Sequence, residues 1–152
     1  MDIKHKAMTI AVDFDGTIVE NRYPRVGREI PFAIDTIKLI QSELKHKVIL
    51  WTVREGKELQ EAVEFCKSRN LNFYAINSNH PEPLLKNEPR KIMADLFIDD
   101  RNFGGLPDWG QIYNSLKTNQ HFNLNLNFDL SINLPKRRER GFLNLILKGI
   151  KR

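Results

Sequence analysis

Two hydrophobic periodicities alternate along the chain. Residues 8–14, Met-Thr-Ile-Ala-Val-Asp-Phe, are a short apolar run closed by Gly16, the pattern of a buried strand that ends in a turn. Pro31 suits a first helical turn, and Ile34, Ile37, Ile40 and Leu44 then recur three, three and four residues apart, on one helical face. Lys47 to Thr52 follows with Val48, Ile49, Leu50 and Trp51 in sequence, as a parallel strand covered on both sides requires. The alternation repeats: residues 55–69 place Leu59, Ala62, Val63 and Cys66 at helical spacing, Phe73 to Ile76 predicts a third strand, and Leu96-Phe97-Ile98 a fourth. After Gly104-Gly105 a short helix is predicted to start near Pro107-Asp108 and to bury Trp109, Ile112, Tyr113 and Leu116.

Strands alternating with amphipathic helices predict an α/β fold, a Rossmann-like parallel sheet joined by right-handed crossovers with helices on both faces. Sites in such sheets lie beyond the carboxyl ends of the strands. The polar residues that follow each strand are therefore the candidates: Asp13 and Asp15, Thr52 and Arg54, Asn77 and Asn79, Asp99 and Asp100. Residues 77–91, with Pro81, Pro83 and Pro89, read mainly as a loop over that edge.

A length of 152 residues suits one domain, and 41% hydrophobic with 28% charged residues excludes a wholly disordered, collagenous or disulfide-scaffold chain. Cys66 is the single cysteine and no signal-like apolar stretch follows Met1, so a cytoplasmic location is expected. The net charge of +5 is unevenly placed: from Lys117 onward eight Lys or Arg face two acids, whereas residues 1–116 hold sixteen against seventeen. The expected organisation is a catalytic-type domain over 1–117 and a basic extension over 118–152. Within the extension, residues 123–134 alternate as a half-buried strand would. Lys136 to Arg140 then precedes an apolar stretch that can touch nucleic acid or a membrane; a tail that is solvated, packed on its own domain or paired between subunits is the preferred reading.

The chemistry gathers in Asp13-Phe14-Asp15-Gly16-Thr17. In extended backbone, residues two apart point to one side, so both carboxylates are expected to face a common site before Gly16 turns the chain. Close carboxylates perturb one another, leaving one a nucleophilic anion and allowing the other to carry a proton, a division suited to phosphoryl transfer. Asp99-Asp100 brings a second acidic pair to another strand end, where hard oxygen ligands call for Mg²⁺; alone, such a pair also makes turns or caps. Thr52 and Lys91 offer a hydroxyl donor and a positive charge for phosphate oxygens, although Thr52 also fits a helix N-cap and Lys86, Arg90 and Arg54 are rival cations.

Taken in chain order, Asp13-x-Asp15-Gly16-Thr17, Thr52 after an apolar strand, Lys91 and Asp99-Asp100 make residues 8–116 resemble the haloacid dehalogenase-like superfamily of phosphohydrolases. The resemblance implies a Mg²⁺-dependent phosphatase acting on a phosphorylated substrate, with Asp13 as nucleophile and Asp15 as general acid and then base. It further implies Thr52 and Lys91 as phosphate ligands, and Asp13, the Asp15 carbonyl and Asp99 or Asp100 as metal ligands. Members of the superfamily often insert a cap domain. Here Thr17–Ile30 and Asn77–Arg90 are fourteen residues each, too short for a folded cap, so the expected site is open, or covered by a neighbouring subunit in a homo-oligomer. Arg54, Asn77, Asn79 and His80 are the expected substrate-side residues. The competing function is a non-catalytic phosphate- or polyanion-binding module that uses the basic tail.

Overall fold

The computed structural model describes residues 6–82 and 91–118; the predicted features of the 118–152 extension beyond Thr118, and Lys86 and Arg90, lie outside the described residues. The elements run β1 (Thr9–Val12), α1 (Ala33–Ser42), β2 (Lys47–Leu50), α2 (Gly56–Lys67), β3 (Ala75–Ile76), β4 (Leu96–Ile98) and α3 (Trp109–Lys117). The strands form one parallel sheet in the order β3-β2-β1-β4, with Val12 level with Leu50 on one side and with Ile98 on the other. No described helix is long and apolar enough to cross a membrane.

Strand alternation divides the core between two faces. Ile10, Val12, Val48, Leu50 and Ile98 pack with Ile34, Ile37 and Ile40 of α1, Ala62 and Cys66 of α2, and Trp109, Ile112 and Leu116 of α3. Ala11 and Ile49 point the other way, where Ala75, Ile92 and the partly buried Trp51, Tyr74, Ala94 and Phe97 cover them. The strand order explains this arrangement. Two crossovers step in one direction from β1, so the return from β3 past β1 to β4 has to pass over the opposite face if it keeps the same hand. The parallel α/β sheet is thus present and covered on both sides, but α1, α2 and α3 all pack in the first cluster, whereas helices were expected on both faces; among the described residues Ile92 and Ala94 of the β3–β4 connection contribute to the second covering.

Local signals set the helix ends. Asp108 caps α3, its carboxylate accepting from the Gly110 and Gln111 amides at 2.8 and 3.4 Å. The α2 helix starts at Gly56 after Glu55, so Thr52 is no N-cap. β3 is shorter than predicted, with only Ala75 and Ile76 in register with β2, although the Tyr74 amide donates to the Val48 carbonyl at 2.7 Å.

Between β1 and α1 the chain forms a small flap. The Glu20 amide donates to the Arg28 carbonyl and the Ile30 amide to the Ile18 carbonyl, with Val19 bridged to both Asp15 and Glu29. Gly27 permits the close approach, since a Cβ there would lie 1.9 Å from the Glu20 carbonyl oxygen. The flap exposes Arg22 to Arg25 at its tip.

Candidate functional site

One-residue extensions of the strand ladders build the site's floor. Past the last paired residues, the Asp13 amide donates to the Ile98 carbonyl (3.0 Å), the Trp51 amide to Val12 (2.8 Å) and the Asn77 amide to Leu50 (2.8 Å). Asp13, Asp99, Trp51 and Asn77 therefore leave their strands at one level. β1 and β4 adjoin where the strand order reverses, the place at which open parallel sheets form a crevice.

Asp13, Asp99 and Asp100 converge there, each offering a carboxylate oxygen within 4.8 Å of the others. Asp99 also serves the turn, its Oδ1 accepting the Arg101 amide at 2.8 Å. The Asp100 amide donates to the buried Thr17 hydroxyl oxygen at 3.0 Å, and the Thr17 carbonyl accepts from the Trp109 indole at 3.2 Å, which ties α3 to the site. Asp100 Oδ1 is buried with no hydrogen-bond partner among the described residues. Such an atom is costly unless something meets it.

Burial raises the Asp13 carboxyl to about 7; the Phe14 amide opposes the shift and the charges of Asp99, Asp100 and Asp15 add to it. Asp100 is likewise raised, by burial first and then by Asp99. Three crowded acids, an orphan carboxylate oxygen and an all-oxygen donor set fit a hard divalent cation such as Mg²⁺.

Gly16 makes this approach possible. Its φ is +89°, and a Cβ on it would lie 2.2 Å from Asp100 Oδ2. Gly16→Ala is expected to cost ~1–3 kcal/mol for the left-handed backbone alone, and to push the Asp100 carboxylate out of the cluster. Urea unfolding and the Mg²⁺-induced change in Tm check this; a variant with the parental Mg²⁺ response would show that Asp100 need not lie against Gly16.

The Asp15 carboxylate, expected to face one site with Asp13, is held on Arg54 and is not among the three carboxylates that converge, although its charge still acts on Asp13. β1 ends at Val12 and the chain turns at once, so the alternation rule stops applying between them. Phe14 enters the core against Phe65, while the Asp15 carboxylate grips Arg54 with Nε and Nη2 donating at 2.6 and 2.7 Å.

Arg54 is wholly buried. Its remaining N–H groups go to the carbonyls of Pro24 (2.8 Å), Arg25 (2.9 Å) and Glu58 (3.5 Å), so all five donors of the guanidinium are in use. Arg54 is therefore an internal staple that joins the flap tip to Asp15, and the expectation of a substrate-side Arg54 is corrected.

The other three expected substrate-side residues also have different positions. Asn77 Oδ1 accepts the Thr52 amide at 2.8 Å and its Nδ2 donates to the Arg54 carbonyl at 3.5 Å, so this amide braces the loop after β2. Asn79 Oδ1 accepts the Met93 amide at 2.7 Å, pinning the β3–β4 connection. His80 is exposed in a turn with Ser78, its amide donating to the Ser78 hydroxyl oxygen and its carbonyl accepting from that hydroxyl.

A cavity of about 260 Å³ opens over the acids, lined by Asp13, Trp51, Thr52, Val53, Asp99 and Arg101. Thr52 is buried and its oxygen accepts the Arg54 amide at 3.2 Å, which leaves its O–H to donate into the cavity. Lys91 is exposed, does not line the cavity, and rests its ammonium 5.8 Å from the centre of the Phe97 ring. Trp51, Val53 and Arg101 were not among the expected residues. The signal for them was their place beside Thr52 and Asp100, each one step along the chain from a strand-end residue.

A solved structure of a conserved protein from Bacteroides thetaiotaomicron is 61% identical to this chain, with a TM-score of 0.73; the match covers 78% of this chain and 96% of that one. No family profile matches the chain, and no curated protein does.

Proposed function

From the premise that the chain belongs to the family of that conserved Bacteroides thetaiotaomicron protein, we propose that it is a Mg²⁺-dependent phosphomonoester hydrolase of the haloacid dehalogenase-like type. The observation that carries this reading is the triad of Asp13, Asp99 and Asp100 at the β1–β4 switch point, with the Thr52 hydroxyl in the same cavity. On this reading a carboxylate nucleophile, a cation site and a hydrogen-bond donor to phosphate share one crevice.

In the proposed reaction an Asp13 oxygen attacks phosphorus, the bond from phosphorus to the ester oxygen breaks, and the alcohol leaves with a proton. Water next attacks the aspartyl-phosphate at phosphorus, releasing inorganic phosphate and restoring Asp13 with loss of one proton. Bound by Asp13, Asp99 and Asp100, with the Asp15 carbonyl as a further expected ligand, Mg²⁺ would neutralise phosphoryl charge. Thr52 donates to a phosphoryl oxygen, and the flexible Lys91 side chain is the proposed second ligand once it leaves Phe97. Asp15, the proposed acid and base, has both oxygens on Arg54, so this role requires its side chain to turn from Arg54 toward the cavity.

Assay of the full chain with Mg²⁺ against aryl phosphates, sugar phosphates and nucleotides tests the reading. Turnover that disappears with EDTA and returns with Mg²⁺ is expected; a protein that binds phosphate esters but hydrolyses none would be a binding module instead.

The acid cluster also predicts a coupling between pH and metal. Because the folded protein holds the Asp13 proton up to about 7, above the ordinary carboxyl value of 3.8, ionising Asp13 destabilises the metal-free fold; this cost is absent at low pH and grows as pH rises through the window. Mg²⁺ favours the ionised carboxylates, so it should raise Tm more at about pH 8 than at about pH 5.5. A Mg²⁺ shift equal at both values, or larger in acid, would dissociate Asp13 from the metal.

A further inference from the structure

On the phosphohydrolase reading just given, we propose that Arg101 selects the substrate by receiving a second anionic group on the part of the molecule that leaves, whose body lies along Trp51 and Val53. The cations near the crevice can be sorted by what holds them. Arg54 is buried with every N–H in use, and Lys91 lies over Phe97 outside the cavity wall. Arg101 lines the cavity, is exposed, and among the described residues its guanidinium makes no hydrogen bond or ion pair, its charge acting on Asp100 without direct contact.

The backbone beneath Arg101 is well held. Its amide donates to Asp99 Oδ1 at 2.8 Å, the Asn102 amide donates to the Asp99 carbonyl at 3.3 Å, and the Asn102 side-chain amide donates to the Phe97 carbonyl at 3.3 Å. A planar cation is thus presented from a braced turn, in the form that pairs best with a carboxylate or a phosphate.

The rest of the wall indicates what the anion is attached to. Val53 is 73% exposed beside the half-buried Trp51, an apolar strip that lines the same cavity as Asp13 and Asp99. A space of about 260 Å³ suits a small organic molecule more than a polymer segment. Three carboxylates make this end of the sheet hostile to any anion that lacks a counter-cation, so a free arginine at its mouth discriminates between substrates with and without the additional charge.

Two esters that differ only in this charge, phenyl phosphate and para-carboxyphenyl phosphate, provide the test. The full chain should prefer the carboxylated ester, and Arg101→Ala should lower the ratio of the two kcat/KM values by about tenfold, the worth of one charge-assisted hydrogen bond. Arg101→Lys should retain part of the ratio. Calorimetric titration of Asp13→Asn with both esters, with and without Arg101→Ala, measures the same preference without turnover. A loss shared equally by the two esters, or a ratio that Arg101→Ala leaves in place, overturns the proposal, as does failure of both esters to bind. If the esters bind with an Arg101-dependent preference and neither is hydrolysed, the anion site stands and the phosphatase reading falls.

Discussion

Asp13→Asn is expected to lower phosphatase turnover by on the order of 10⁵-fold or more, the scale seen when a covalent nucleophile is removed. The same substitution should leave the fold intact. In the metal-free protein the Asp13 proton is held up to about 7, so above that pH the parent carries a partly buried charge against Asp99 and Asp100 that the amide lacks. The variant should therefore be at least as stable as the parent at about pH 8 in EDTA, and its response to Mg²⁺ should be weakened. Turnover and denaturation together separate the cases. A folded variant with parental turnover means that Asp13 is not the nucleophile, whereas an unfolded variant contradicts the account of its burial.

Arg54→Met should be the most destabilising single substitution near the site. It leaves the Asp15 carboxylate buried without a partner and strips donors from the carbonyls of Pro24, Arg25 and Glu58. Breaking a buried pair from one side costs about 3–5 kcal/mol. Arg54→Lys keeps the charge but not the planar fork, and should fall between the two. Urea denaturation measures both. An Arg54→Met protein that unfolds at the parental midpoint would mean that the staple contributes nothing. The flap should loosen with it, since among the described residues the Arg54 guanidinium holds the Pro24 and Arg25 carbonyls to the body of the protein, and faster amide exchange across residues 20–28 should report this.

Much of the frame was legible in the chain because it depends on near neighbours. Contiguous apolar residues at 10–12 and 48–50 suit inner strands buried on both sides, the run at 96–98 forms the partly buried edge strand beside them, and Ile34, Ile37 and Ile40 share a face through helix geometry alone. Parallel strands also carry their following residues to one edge, which is why Asp13, Thr52 and Asp99 could be expected in a common crevice.

The direction of a side chain after its strand ends is a different matter. Asp15 and Arg54 are 39 positions apart, and nothing local to either shows that they meet under the flap. An arginine four residues past β2 reads as a substrate-side cation until the flap supplies the carbonyls of Pro24 and Arg25, and a guanidinium with five satisfied donors can then be buried. Asn77 was equally ambiguous, since the same amide that would suit a substrate is the one that closes the loop at Thr52.

Periodicity and strand order thus determined the sheet, its polar edge and the residue types there, because backbone geometry repeats and hydrophobic burial follows it. Tertiary structure alone decided that both Asp99 and Asp100 reach Asp13, where either had been expected, that Asp15 turns to Arg54, and that Arg101 lines the cavity. Those choices rest on contacts between distant segments, where whichever group meets a buried charge or an unpaired carbonyl fixes the orientation of both.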